Sequence, residues 1–187
     1  MRLSTPRIPP LPNSEWNEEV RELLPKGRRP LNLFTTLVRH PKLFKRWMVF
    51  GGHILSKSTL PARERELLIL RTGYRCKSPY EFHQHTAIGL AAGLTRAEIE
   101  KLAQPSEPSD LKNTWSPSDA VLIQAADELH ADQMISDATW TKLRETWDEK
   151  QLIDLLFTVG QYTLVSMVLN SLGVQIEESA QGEGTAS

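Results

Sequence analysis

The stretch from Glu66 to Ala92, ELLILRTGYRCKSPYEFHQHTAIGLAA, is apolar enough to be core, yet it carries Glu66, Glu81, His83 and His85. Glu81 and His85 stand four apart, so on a helix they share one face with Cβ atoms about 5–6 Å apart. The same stripe continues through Ile88 and Ala92, which turns the pair toward the interior. A carboxylate and an imidazole buried together perturb each other's protonation and can pass a proton to a bound molecule. His83 falls about 200° around the same helix, toward solvent or a subunit contact. Glu66 lies beside Leu67-Leu68-Ile69-Leu70 on the preceding helix. It fits either a third acid–base group or a first-turn carboxylate complementing the helix dipole, as Glu64 does equally.

Two other readings use the same residues. Ser78-Pro79-Tyr80-Glu81 has the form of a helix start, with Ser78 as N-cap, Pro79 as first residue, Glu81 as capping-box partner and Gly93 as stop. Alternatively Glu66, Glu81 and His85 form a two-carboxylate, one-histidine metal set, with His53 or His83 as a further donor. No H-x-x-x-H or E-x-x-H pairing near the site supports that set. Cys76 is the only cysteine, which excludes an intrachain disulfide and leaves a small buried hydrophobe or a lone thiol.

The elements that must position these groups are helical throughout, since no Asn-Gly or Asp-Gly joins alternating apolar runs. Starts are expected at Ser14, at Pro41 and at Pro61. Others are expected at Thr95 with Glu98, at the Ser116-Pro117-Ser118-Asp119 box and at Ser136, and a long apolar helix from about Asp148. Its segment Leu152 to Val174 is interrupted by Asp154, Gln161 and Asn170, which suits the centre of a bundle rather than a membrane span. Gln161, Tyr162 and Asn170 are the polar residues of this helix expected to reach a buried pocket. The chain divides into a Pro-rich arm and first helix (1–30), a helical domain (31–176) and a tail (177–187) of disorder-type composition. Within the domain, the Pro/Ser/Asp-rich connector QPSEPSDLKNTW separates two helical halves. ERELLILRTGY and EKQLIDLLFTVGQY hint that these are related.

A length of 187 residues suits one domain with a real core. The net charge of −1 argues against a nucleic-acid partner, and Lys26 to Pro30 reads as a solvated linker. The N-terminus has no apolar h-region, so the expected location is cytoplasmic.

The spacing resembles that of the alkylhydroperoxidase D-like proteins of the carboxymuconolactone decarboxylase superfamily. Their pattern E-x11-C-x2-C-x3-H falls here on Glu66, Ser78, Glu81 and His85. HTAIGLAAGLTRAEIEKL and the upstream LNLFTTLVRHPKLFKRWMVFGGHIL extend the likeness over Leu31 to Leu102, and Tyr80-Glu81-Phe82-His83-Gln84-His85 is similar to a signature of a non-redox branch. The resemblance implies an all-α, alkylhydroperoxidase D-like helical bundle assembling as a trimer or hexamer. Ser78 and Glu81 replace the two thiols a dithiol peroxidase needs, so that reaction does not fit.

The resemblance then implies a decarboxylase, lyase or isomerase without metal or cofactor, acting on a small unsaturated or cyclic carboxylic acid or lactone. His85 would donate the proton, Glu81 would orient and tune it, and Glu66 would relay the proton or position substrate. Ser78, Tyr80, Tyr162 and Asn170 are the candidate substrate-binding residues. Arg71, about 140° from Glu66 on its helix, is expected in a salt bridge or at the surface rather than on a substrate carboxylate. The competing classes are a metal enzyme on Glu66, Glu81 and His85, a peroxidase-like protein acting through Cys76, and a non-catalytic oligomeric binding protein.

Overall fold

The computed structural model describes residues 1–27, 29–106 and 108–177. Ten helices and no strand occur among them: α1 (Glu18–Leu23), α2 (Asn32–Leu37), α3 (Pro41–Ser56), α4 (Ala62–Arg75), α5 (Pro79–Ala91), α6 (Arg96–Leu102), α7 (Pro108–Thr114), α8 (Pro117–Asp132), α9 (Asp137–Leu143) and α10 (Glu149–Leu172). The all-α expectation holds.

At the centre lies α4, where every residue from Glu66 to Gly73 is buried. It packs against α5, α8 and α10, so its LLIL run has apolar neighbours all round. Leu67, Leu68 and Leu70 join Leu122, Ile123, Leu143, Leu155 and Val159 in the main core. The most apolar window of α10 is 56% buried inside the protein, which makes α10 a bundle helix by packing.

Arg71, 1% exposed, braces this centre. Its Nε and Nη2 donate to the two Asp127 oxygens at 2.7 and 2.6 Å, and Nη1 donates to the carbonyls of Leu102 and Gln104 at 3.0 and 2.8 Å. One side chain thus ties α4 to α8 and to the end of α6, in the expected salt bridge but fully inside.

The α4–α5 hairpin positions the site. After Cys76, Lys77 takes a left-handed φ of 50°. The Ser78 N–H then reaches the Gly73 carbonyl at 2.9 Å, and the Lys77 N–H reaches that of Tyr74 at 2.9 Å. This Schellman closure reverses the chain within two residues. The two helices then run closely side by side, since a Cβ on Gly89 would lie 3.1 Å from Leu70 Cδ1.

Several start signals act as expected. Thr95 with Glu98 and Asp148 with Gln151 form reciprocal capping boxes, and Ser116 and Ser136 accept from the N–H groups of Asp119 and Thr139. Others need correction. Ser14 lies in a 3-10 turn, and the first α-helix is capped by Asn17, whose Oδ1 accepts from Val20 N at 2.9 Å. The Pro/Ser/Asp-rich connector contains α7, whose Leu111 packs into the main core.

The N-terminal arm lies over the domain, donating from Arg7 N to the Leu172 carbonyl and from Leu11 N to that of Thr35, each at 2.8 Å. At the other end, Glu177, expected to open the disordered tail, is instead held in place. Its carboxylate accepts from Asn32 N at 2.6 Å, from the Tyr80 hydroxyl at 2.6 Å and from Gln84 Nε2. The rest of that tail lies outside the described residues.

Candidate active site

With α4 and α5 antiparallel from the tight turn, rise per residue sets the order along the shared face. Glu66 lies farthest from the turn, His85 next and Glu81 nearest, at about 1.5 Å per residue. The side chains follow that order. His85 Nδ1 meets Glu66 Oε2 at 2.6 Å, and His85 Nε2 meets Glu81 Oε1 at 3.1 Å. Glu66, Glu81 and His85 are 0, 4 and 5% exposed. Arg65 Nε stands 3.4 Å from Glu66 Oε1 and partly offsets the second negative charge.

Both imidazole nitrogens therefore face carboxylates. A neutral ring would have to present a lone pair to one of them, so the arrangement favours the ring that donates twice. Burial alone pushes His85 down, but the hydrogen bonds it donates to Glu66 and Glu81 outweigh it and raise its pKa from 6.5 to about 9. The edge-on ring of Tyr162, 4.9 Å between centroids at 86°, closes one side of the imidazole. Burial and the nearby glutamates hold the Tyr162 hydroxyl well above the usual phenol range.

Beside this triad is a cavity of about 200 Å³. Leu33, Phe34, Trp47, Met48, Ile88 and Val165 make its apolar walls, and Glu81, Gln84, His85, Gln161 and Tyr162 supply most of its polar ones. Glu81 Oε2 and Gln161 Oε1 are buried with no hydrogen-bond partner. Such orphans are costly in a folded protein, roughly 1–3 kcal/mol each, and call for an explanation. Here both belong to residues lining one hollow.

The structure separates the expected site residues. Glu66, Glu81 and His85 converge, and Tyr80 and Tyr162 line the same cavity. The Tyr80 hydroxyl, however, is committed to Glu177 and to the Leu33 N–H, so its contact with the cavity is through the ring. Ser78 does occupy the N-cap position of α5 but makes no capping bond, and Glu81 turns to His85 instead of closing a box. Ser78 is buried and Asn170 half-buried, both outside the cavity lining, and Asn170 Nδ2 donates to the Cys76 carbonyl at 3.0 Å. The structure thus places both away from the cavity that the other expected residues line.

The arrangement of the three groups does not match the metal-ligand set considered from the sequence. The two glutamates grip opposite nitrogens of one ring, so a single ion cannot take His85 and both carboxylates. Among the described residues no cluster of three His, Cys, Asp or Glu has ligand geometry. His53 instead faces Asp154 at 3.4 Å. Cys76 is half-buried, with Sγ 3.6 Å from His130 Nδ1 and its thiol pushed up by burial. It does not line the cavity.

Trp47 went unnoticed in the sequence. It lines the cavity from α3, and its Nε1 is also buried without a partner. A signal did exist: Trp47 precedes Gly51-Gly52 by one helical turn, an arrangement that leaves space beside an indole in mid-helix.

Known proteins place this geometry in context. The model of the carboxymuconolactone decarboxylase family matches residues 41–111, the segment that contains all three triad residues. None of the curated proteins compared matches the sequence. Among solved structures, an uncharacterized peroxidase-related protein from Ralstonia eutropha JMP134, with an alkylhydroperoxidase AhpD core, superposes with a TM-score of 0.76 at 19% identity, covering 91% of this chain and 93% of that one. The debrominase Bmp8 in complex with 2,3,4-tribromopyrrole gives 0.74 at 12% identity, with 93% of both chains covered. A peroxidase-related protein from Silicibacter sp. TM1040 gives 0.72 at 16% identity, covering 97% of this chain and 94% of that one.

Proposed function

We propose that this chain, alkylhydroperoxidase D-like in fold and of the carboxymuconolactone decarboxylase superfamily through residues 41–111, is an acid–base enzyme that moves a proton at carbon on a small, neutral, largely apolar cyclic compound. The observation that carries this reading is the single chain of contacts Glu66–His85–Glu81, which ends in the unpartnered Glu81 Oε2 of a cavity-lining residue. Both His85 nitrogens are occupied, so Glu81 rather than His85 meets the substrate. Glu81 takes or gives the proton at Oε2, His85 adjusts through Nε2, and Glu66 holds the far nitrogen.

The cavity favours a lactone or enone over a free acid. It is smaller than most drug-sized sites, and no Lys or Arg is among the described residues that line it. A substrate carboxylate would sit beside Glu81 with only His85 to offset it. Isomerisation by proton transfer therefore fits better than decarboxylation. A protein of the same fold, the debrominase, is seen with a small flat ring, 2,3,4-tribromopyrrole. A peroxidase role through Cys76 lacks comparable support, because the thiol is held protonated and lies off the cavity.

Self-association accompanies this reading. Ile153, Leu156, Phe157, Leu164 and Met167 form one exposed apolar stripe on α10, and Leu43, Val49 and Phe50 are exposed on α3. Phe50 and Phe157 meet edge-on at 5.9 Å, joining the two sets. A second copy of the chain is the proposed cover for this surface.

Double-bond migration in β,γ-unsaturated lactones, followed by ultraviolet absorbance, tests the activity. Glu81→Gln and His85→Asn should each slow it about 10²–10⁴-fold, the usual worth of a general acid–base group. Unchanged rates in both variants would end the assignment.

A further inference from the structure

Buried polar atoms without a partner are few, and they are not scattered. Of seven such side-chain atoms among the described residues, three belong to residues lining the acid–base cavity: Glu81 Oε2, Gln161 Oε1 and Trp47 Nε1. Glu81 enters from α5, whereas Trp47 and Gln161 come from α3 and α10. These last two meet at Gly51. A Cβ on Gly51 would lie 3.5 Å from Gln161 Nε2 and 3.9 Å from Trp47 Cε2, the ring carbon that bears Nε1. Glycine keeps that point open, and Gly51 and Gly52 themselves line the cavity.

An indole nitrogen can only donate, and at Gly51 the end of the Gln161 amide that faces the opening is its donor Nε2, while the unpartnered Oε1 is an acceptor and plays no part in holding an anion. Two neutral N–H donors beside a carboxylate base answer a specific chemical need. When a base takes a proton from carbon next to a carbonyl, the C–H electron pair becomes a C=C bond and the C=O pair moves onto oxygen. The resulting negative charge needs fixed donors in a dry site. Returning the proton from the carboxyl group to the far end of the π system restores the C=O and completes a double-bond shift, with nothing consumed.

We propose that Trp47 Nε1–H and the Gln161 amide form an oxyanion-binding pair that holds the carbonyl oxygen of the substrate, which makes that substrate a cyclic enone or unsaturated lactone with a planar enolate. The reaction step rests on the assignment of Glu81 as the base, but binding of an oxyanion by the pair does not. Neither residue is charged, and no Lys or Arg among the described residues lines the cavity, so it holds no side-chain cation beyond His85 to draw in a free carboxylate.

A planar oxyanion probe, 4-nitrophenol, tests the pair apart from catalysis. The five tryptophans give five indole N–H resonances in ¹⁵N-labelled protein, and Trp47→Phe identifies that of Trp47 by its loss. Adding 4-nitrophenol should move the Trp47 resonance downfield. Gln161→Leu and Trp47→Phe should each weaken 4-nitrophenol binding about 10–100-fold, the worth of one hydrogen bond to a charged group. Trp47 also packs near Phe34 and Phe44, so Gln161→Leu, with its melting curve, is the variant that decides if Trp47→Phe fails to fold.

Glu81→Gln separates the two assignments, since it removes the base and leaves both donors. It should lose lactone isomerisation while keeping 4-nitrophenol affinity and the Trp47 shift. An unmoved Trp47 resonance, unchanged affinity in Gln161→Leu, or no binding by the wild-type protein would overturn the pair, even where Glu81→Gln abolishes turnover. A preserved Trp47 shift with no effect of Glu81→Gln on turnover would overturn the base alone.

Discussion

Replacing Glu66 with Gln keeps the shape of the side chain and removes the carboxylate that His85 Nδ1 meets at 2.6 Å. In the intact protein, burial pushes the imidazole down and the two glutamates lift it from 6.5 to about 9. At 1.36 kcal/mol per unit, that difference favours the folded imidazolium by about 3 kcal/mol. The folded state holds the extra proton, so this stabilisation is complete below pH 6.5 and is lost as pH rises through about 9. Wild-type stability to urea should therefore fall across that window. Glu66→Gln leaves His85 with Glu81 alone against its burial, so the pKa should drop and the fall in stability should flatten. The assay is an NMR titration of the imidazole C–H signals, His85 being identified among the five histidines by His85→Asn, paired with urea unfolding at the two ends of the window. A wild-type His85 that titrates at its ordinary value, or one that Glu66→Gln leaves in place, would refute the reasoning.

Arg71→Met should destabilise the protein by about 3–5 kcal/mol in urea, because Asp127 loses a buried bidentate partner; a loss under about 1 kcal/mol would mean solvent compensates. Cys76 should react with disulfide reagents at neutral pH more slowly in the folded protein than in the unfolded chain, since burial holds the thiol protonated, and equal rates would contradict this. Phe157→Asp places a charge in the exposed α10 stripe and should lower the mass measured by light scattering toward that of a single chain. An unchanged mass would contradict the assignment of this surface as a subunit contact.

The part of the site that sequence spacing reveals is the part made within one helix. Glu81 and His85 pair because residues four apart share a face, but it is packing against α4 that buries them, since Ile88 on the same stripe is 41% exposed. Glu66 is a partner only through the α4–α5 turn, which Lys77 closes in a left-handed conformation that favours glycine over lysine. The resemblance of spacing, rather than helix periodicity, supplies that link. Ser78 shows the limit of local rules. Ser-x-x-Glu is a valid capping box until an imidazole four residues on competes for the glutamate, and His85 wins. Asn170 fails differently. Its helical phase points it inward, but the acceptor it finds is a backbone carbonyl at Cys76, which no side-chain pattern reveals. Trp47 and Gly51 look like ordinary helix content because the space between them is made by a third element, α10, through Gln161.

The central claim is that Glu81 is the group that exchanges a proton with the substrate. Its most direct test is incorporation of deuterium from D₂O into the carbon next to the carbonyl of an unsaturated lactone, followed by proton NMR. Wild-type protein should exchange the deuterium, and Glu81→Gln should lose that exchange by about 10²-fold or more with the fold intact. Exchange at the wild-type rate in Glu81→Gln would contradict it.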